Sequence, residues 1–240
     1  MKTLFVTGTD TSVGKTLVCG LLLDFFLRRG LDAGYQKWVA TGPEHPPVDL
    51  RECLDLAGLP LPAPEEVERM VPCRFALPAS PHLAAEQEGT VVDPALLRSR
   101  YEEMRRRHEV LLVEGVGGIL VPLRRDLLLA DFLAELRIPT LVVARPGLGT
   151  INHTLLTLEA LRHRDIPVLG VVFSRSGAGE DNPLLVADNM RTISETGSVE
   201  VFGLLPHVRE KAAAGELFRP LGERIFSRFF PESPTQRMRP

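Results

Sequence analysis

The stretch Gly8-Thr9-Asp10-Thr11-Ser12-Val13-Gly14-Lys15-Thr16 brings together the groups that a phosphate chain requires. A glycine-bounded loop that turns into a helix aims backbone N–H groups and the positive helix end at one point, which suits an anion. Lys15 adds a compact charge there, and the Thr16 hydroxyl can ligate Mg²⁺. Five residues separate Gly8 from Gly14; the common phosphate loop is one residue shorter. The plainer alternative is a glycine-rich turn with a surface lysine. A strand pattern before the loop and an apolar helical pattern after it weigh against that alternative.

Further candidates stand at the ends of apolar runs. Glu114 ends the run Glu109-Val110-Leu111-Leu112-Val113-Glu114 and precedes Gly115-Val116-Gly117-Gly118. A carboxylate at a buried strand end calls for a cation, so a place beside Mg²⁺ is one reading. Capping of a neighbouring helix is the other. Asp49 follows a proline-rich loop and opens a helical stretch, as an N-cap or as a metal ligand. Lys37 stands near the end of a strand, beside Thr41 and Gly42, where a lysine either snorkels to solvent or serves a site. Lysine occurs only at positions 2, 15, 37 and 211 in a chain otherwise rich in arginine, which fits a need for ammonium groups at 15 and 37.

The elements that must position these groups follow from hydrophobic periodicity. Apolar runs over 2–7, 33–39, 109–114, 138–144, 166–173 and 199–204 read as strands. Helical patterns lie near 14–30, 49–58, 94–108, 127–137, 150–163 and 182–196. Such alternation predicts the α/β class: a single P-loop NTPase-like domain over 1–230, with a mostly parallel sheet and helices on both faces. Right-handed crossovers then gather the phosphate loop, Lys37, the glycine turn after Glu114 and the turn Arg145-Pro146-Gly147-Leu148-Gly149 on one sheet edge. Segments 43–48 and 59–93 read as excursions over that edge, and 231–240 as a disordered tail.

Composition excludes several classes. The 240 residues carry a net charge of −3, with 44% hydrophobic and 25% charged residues, as in soluble globular proteins. No basic stripe interleaves with aromatics, so no nucleic-acid partner is expected. The run Arg105-Arg106-Arg107 falls late in a polar helix, where it complements the helix dipole. Cys19, Cys53 and Cys73 are widely spaced and read as reduced thiols. With no signal peptide and no membrane-spanning run, a cytoplasmic location and no membrane partner are expected. No histidine pair has metal-ligand spacing with an acidic partner. A Gly-x-Ser-x-Gly elbow is missing, as is Gly-x-Gly-x-x-Gly after the first strand.

The loop from Phe5 to Thr16 resembles the signature of the dethiobiotin synthetase family, enlarged loop included. Four further segments are similar in order and spacing: Ala33-Gly34-Tyr35-Gln36-Lys37 with Val39-Ala40-Thr41-Gly42; Phe75 to His82 with Gln87-Glu88-Gly89; Leu112 to Gly118; and Leu148 to His153. The resemblance implies a ligase of biotin biosynthesis that uses 7,8-diaminononanoate, CO₂ (or bicarbonate), ATP and Mg²⁺ to close a cyclic urea. It implies that ATP is held by Gly8, by Ser12 through Leu17 (Val13, Gly14, Lys15 and Thr16 included), and by Asp49 and Glu114. Gly115, Val116, Gly117, Ser174, Arg175, Leu205, Pro206, His207 and Glu210 would complete the nucleotide site.

The same resemblance implies Thr16, Asp49 and Glu114 as magnesium ligands and Lys37, Lys15 and Thr11 as catalytic residues. Thr11, Lys37 and Thr41 would touch the diamine or carbamate. Gly149, Thr150 and Asn152 would bind the substrate carboxylate from the other subunit of a homodimer. Family members usually carry an Asn just after the fifth strand to read adenine; Ser174 stands there and offers fewer hydrogen bonds, which predicts relaxed base selectivity. A rival resemblance is to the MinD and ParA switch ATPases. Those carry an extra lysine near the loop's start, where this chain has Thr9-Asp10, and MinD adds a membrane helix. The apolar and arginine positions over 215–230 are the place to look for one.

Overall fold

Val110-Leu111-Leu112-Val113 is apolar on both faces, and the strand it forms is buried through Gly115. The central strands of the sheet share this burial in the computed structural model, which describes residues 1–175, 182–207 and 210–231. In chain order the elements are β1 (Lys2–Gly8), α1 (Lys15–Arg28), β2 (Ala33–Lys37), β3 (Val39–Thr41), α2 (Val48–Leu56), α3 (Pro64–Met70) and β4 (Cys73–Phe75). Next come α4 (Pro81–Gln87), α5 (Pro94–Arg107), β5 (Val110–Gly118), β6 (Pro122–Arg124), β7 (Leu127–Leu128) and α6 (Leu129–Leu136). The chain continues through β8 (Thr140–Ala144), α7 (Thr150–Arg162), β9 (Val168–Ser174), α8 (Pro183–Thr196), β10 (Val201–Leu205) and α9 (Lys211–Phe229).

Six strands form one sheet in the order β10-β9-β8-β1-β5-β2, every pair parallel. The chain leaves β1 for β2 in one direction and β5 for β8 in the other. Right-handed crossovers in opposite directions put their helices on opposite faces. They also leave the loops that follow the strands gathered at the carboxyl edge of the sheet, where open sheets bind ligands. Register then matters: Glu114 lies level with Val6 on one side and with Lys37 on the other.

Trp38 is fully buried, 4.9 Å from the Phe5 ring and 5.1 Å from Phe132, and its N–H donates to Gln36 Oε1. At the other end of the sheet, α9 packs on α1 through Phe25, Phe26, Phe226, Phe229 and Phe230. Lys2 there lies over the Phe230 ring and donates to the Phe229 carbonyl at 2.8 Å.

Several boundaries differ from the sequence expectation for stated reasons. The strands expected from 138 and 166 begin at Thr140 and Val168, because Pro139 and Pro167 have no N–H to give a ladder. The strand expected over 33–39 stops at Lys37, and the chain departs as β3 to pair with β4 in a separate two-stranded sheet. The expected excursion over 59–93 contains α3, β4 and α4. The antiparallel β6–β7 pair went unanticipated. Arg105, Arg106 and Arg107 do occupy the last turn of α5, whose N-cap Asp93 accepts from the Ala95 N–H at 2.8 Å. The tail expected over 231–240 lies, from residue 232, outside the described residues.

Candidate functional site

The loop between β1 and α1 wraps around its own lysine. Gly14 at the N-cap of α1 has φ 94°, a left-handed value that glycine adopts without strain. A side chain there would also meet the Ser174 hydroxyl at 2.4 Å. The Lys15 ammonium folds back over Gly8 and donates to the Asp10 carbonyl at 2.9 Å. Burial, and then the nearby Lys37 ammonium, lower the Lys15 pKa to about 8. Val13 is buried beneath the loop, while Thr11 and Ser12 are exposed at its tip. The Thr11 methyl faces Gly117 in the turn after Glu114.

Next to the loop, four predicted residues converge. Lys37 Nζ donates to Glu114 Oε1 at 2.6 Å and to the Gly115 carbonyl at 2.9 Å, and it pairs with Asp49 Oδ2 at 2.7 Å. The Thr16 hydroxyl lies 3.0 Å from Glu114 Oε1 and 3.3 Å from Asp49 Oδ1. The side chains of Lys37 and Glu114 are 4% and 1% exposed, that of Asp49 36%. Burial opposes the charge on Lys37, but Glu114 and Asp49 overcome it and raise its pKa above the ordinary lysine value. Burial likewise opposes the Asp49 charge, and Lys37 overcomes it, so that carboxyl is held below its usual value.

Two of the open alternatives are thereby decided. Lys37 does not snorkel outward; it turns into the sheet edge. Asp49 is not an N-cap, since α2 begins at Val48 with Pro47 in the cap position, and Asp49 sits in the first turn. Proline offers no side-chain acceptor, which leaves the Asp49 carboxylate free to face Thr16 and Lys37.

The remaining predicted residues fall in three places. Thr41, at the end of β3, lines a cavity of about 400 Å³ with Asp49, Arg74 and Glu88. Leu17, Arg175 and His207 line another, of about 330 Å³, with Glu52, Asp55, Leu56 and Lys211. Leu205 ends β10, Pro206 follows it, and Glu210 precedes α9. Ser174 does not face that second cavity. It is fully buried against Gly14, and its hydroxyl has no partner among the described residues. Gly149 caps α7 at φ 87°, Thr150 is buried, and Asn152 is exposed on the helix's first turn. These three are not brought to the Lys37 cluster.

Tyr35 belongs to the cluster and was missed. Its hydroxyl donates to Glu114 Oε2 at 2.7 Å, and the residue is fully buried. The available signal was strand periodicity, because residues 35 and 37 share a face of β2. Cys19 and Cys53, on α1 and α2, also lie near the cluster; burial and then the Glu114 charge push both thiols well up.

Comparisons with known proteins place the chain among relatives. A family model described as an AAA domain matches residues 2–214. The ATP-dependent dethiobiotin synthetase of Anaeromyxobacter dehalogenans is 42% identical over 207 residues, covering 86% of this chain and 90% of that protein. The enzyme of the same name from Bacillus cereus strain G9842 is 35% identical over 94% of this chain and 91% of its own length. That of Methanococcus vannielii is 35% identical over 84% and 92%.

Among solved structures, MinD of Pyrococcus horikoshii complexed with Mg-ADP superposes with TM-score 0.60 at 13% identity, covering 93% of this chain and 95% of that one. The MinC:MinD complex of Aquifex aeolicus gives 0.59 at 15% identity, over 97% and 99%. These two share the fold alone. The segment set aside for a membrane helix forms α9, which buries Phe218, Leu221 and Ile225 against the protein. Among the described residues no helix is long and apolar enough to cross a membrane. By sequence, coverage and motif order, this chain belongs to the ATP-dependent dethiobiotin synthetase family.

Proposed function

We propose that the chain closes a cyclic urea on 7,8-diaminononanoate, using CO₂ and ATP and releasing dethiobiotin, ADP and phosphate. One amine adds to CO₂ and loses a proton, giving a carbamate. A carbamate oxygen takes the γ-phosphoryl group of ATP, with ADP leaving. The second amine attacks the carbamoyl carbon of that mixed anhydride, phosphate departs, and the new nitrogen loses its proton. The observation that carries the reading is the buried ammonium of Lys37, set between Glu114 and Asp49 beside a phosphate loop.

Phosphoryl transfer requires positioning and charge compensation rather than covalent help. Lys15 and the loop amides from Ser12 to Thr16 grip the phosphates. Lys37 faces the carbamate and the transferring group, and Thr11 and Thr41 border the diamine. A carbamate decomposes when protonated, so a permanent cation beside it is an advantage, and Lys37 keeps its proton there.

Thr16, Asp49 and Glu114 fit magnesium. They offer hard oxygen donors, and two carboxylates and a hydroxyl meet at one point. The ammonium bridging those carboxylates supports a place for positive charge between them. When bound, the ion would neutralise charge on the phosphates. Arg175, Leu205, Pro206, His207 and Glu210 border the nucleoside. Leu148 and Leu156 are 79% and 54% exposed and lie four residues either side of Asn152. Asn152 and Leu156 share one face of α7 and Leu148 lies just before its cap; this exposed apolar surface supports a homodimer in which Gly149, Thr150 and Asn152 reach the partner's substrate.

The test is ADP release assayed with the diamine and bicarbonate, each omitted in turn. Dependence on both is the expected result. ATP turnover without either points to a switch ATPase and overturns the proposal.

A further inference from the structure

We propose that Tyr35 is a positioning residue for the metal-binding carboxylate, holding Glu114 Oε2 so that Oε1 alone is presented to Thr16 and the phosphate loop. The inference rests on the reading of Thr16, Asp49 and Glu114 as the magnesium ligands. The two oxygens of Glu114 have different environments. Oε1 receives Lys37 at 2.6 Å and Thr16 at 3.0 Å, while Oε2 receives only Tyr35, at 2.7 Å, among the described residues.

The arrangement follows from the sheet. Tyr35 and Lys37 share one face of β2, and the neighbouring strand places Glu114 level with Lys37. The Tyr35 ring is packed with no solvent exposure, so its hydroxyl is held in direction as well as in reach. A buried phenol needs a partner, and many acceptors would satisfy it. Here the partner is the second oxygen of a ligand carboxylate. Without that donor, the carboxylate is free to rotate about its terminal bond and chelate the Lys37 ammonium with both oxygens. The ligand set would then compete with its own lysine. Groups that orient metal ligands in this way are commonly worth about 10–100-fold in metal affinity.

The experiment is calorimetric titration of ADP into wild type and Tyr35→Phe, first with a chelator and then with Mg²⁺. Metal-free ADP should bind both proteins within about twofold, because Lys15 and the loop amides are untouched. The affinity gained on adding Mg²⁺ should be smaller in Tyr35→Phe by about 10–100-fold. An equal gain in both proteins overturns the proposal. A wild type with no magnesium-dependent gain overturns the ligand reading beneath it, and the two failures are distinguishable. Should Tyr35→Phe fold poorly, 3-fluorotyrosine at position 35 keeps the hydroxyl and reports on it. Its ¹⁹F signal should move when Mg²⁺ joins the ADP complex, and an unmoved signal also overturns the proposal.

Discussion

Lys37→Met removes one charge from a nearly closed cluster while keeping a similar volume. The lysine sits 2.6 Å from Glu114 and 2.7 Å from Asp49, with side-chain exposures of 4% for itself, 1% for Glu114 and 36% for Asp49. Asp49 can turn part of its charge to water, but Glu114 cannot. Deleting one partner of a buried pair typically costs about 3–5 kcal/mol, and the exposure of Asp49 argues for the lower end, about 3 kcal/mol. In a chain of this size that is a fall in Tm of about 6–12 °C. Thermal melts of the nucleotide-free proteins measure it. Mg-ADP should stabilise the variant more than wild type, because an ion among Thr16, Asp49 and Glu114 restores the missing charge. Turnover should drop by about 10²–10³-fold with nucleotide binding retained. A variant that melts with wild type and cyclises at the wild-type rate would refute both the energetic and the catalytic argument.

Four other outcomes are expected. Lys15, held near 8, must be charged to grip phosphate, so metal-free ADP should bind about tenfold more weakly at pH 9 than at pH 7. Binding should take up protons, read as buffer-dependent heats near pH 8; pH-independent affinity contradicts this. The three buried thiols, Cys73 pushed up to about 12 by burial, should resist a thiol reagent in the native protein and react only after unfolding. With Ser174 turned toward Gly14, CTP and GTP should support turnover within about tenfold of ATP; kinetics showing a strong ATP preference would defeat that expectation. Leu156→Arg should convert a dimer to monomers by light scattering, and an unaffected mass would place the contact elsewhere.

The centre of the sheet was legible because strands buried on both faces read as unbroken apolar runs, as Val110 to Val113 shows. The loop was legible because few residue types can turn a chain at Gly14 and still present Lys15. The pairing partners were not. Nothing in sequence says that Glu114 stands level with Lys37, since register between parallel strands is set by packing of helices over both. For the same reason the sequence did not single out Tyr35, and it left Asp49 open between a cap and a metal ligand. Ser174 illustrates the opposite limit: its position at the strand end was read correctly, yet the direction of its hydroxyl depends on how closely Gly14 passes above it.

The contact between Lys2 and the Phe229–Phe230 pair joins residues 227 positions apart. Synthesis from the amino end therefore completes β1 long before the rings that cover its first residue exist. Until the last helix emerges, that corner of Phe26 and its neighbours stays wet. Cutting the chain before residue 229 should leave the nucleotide loop's own strand fraying at its far end.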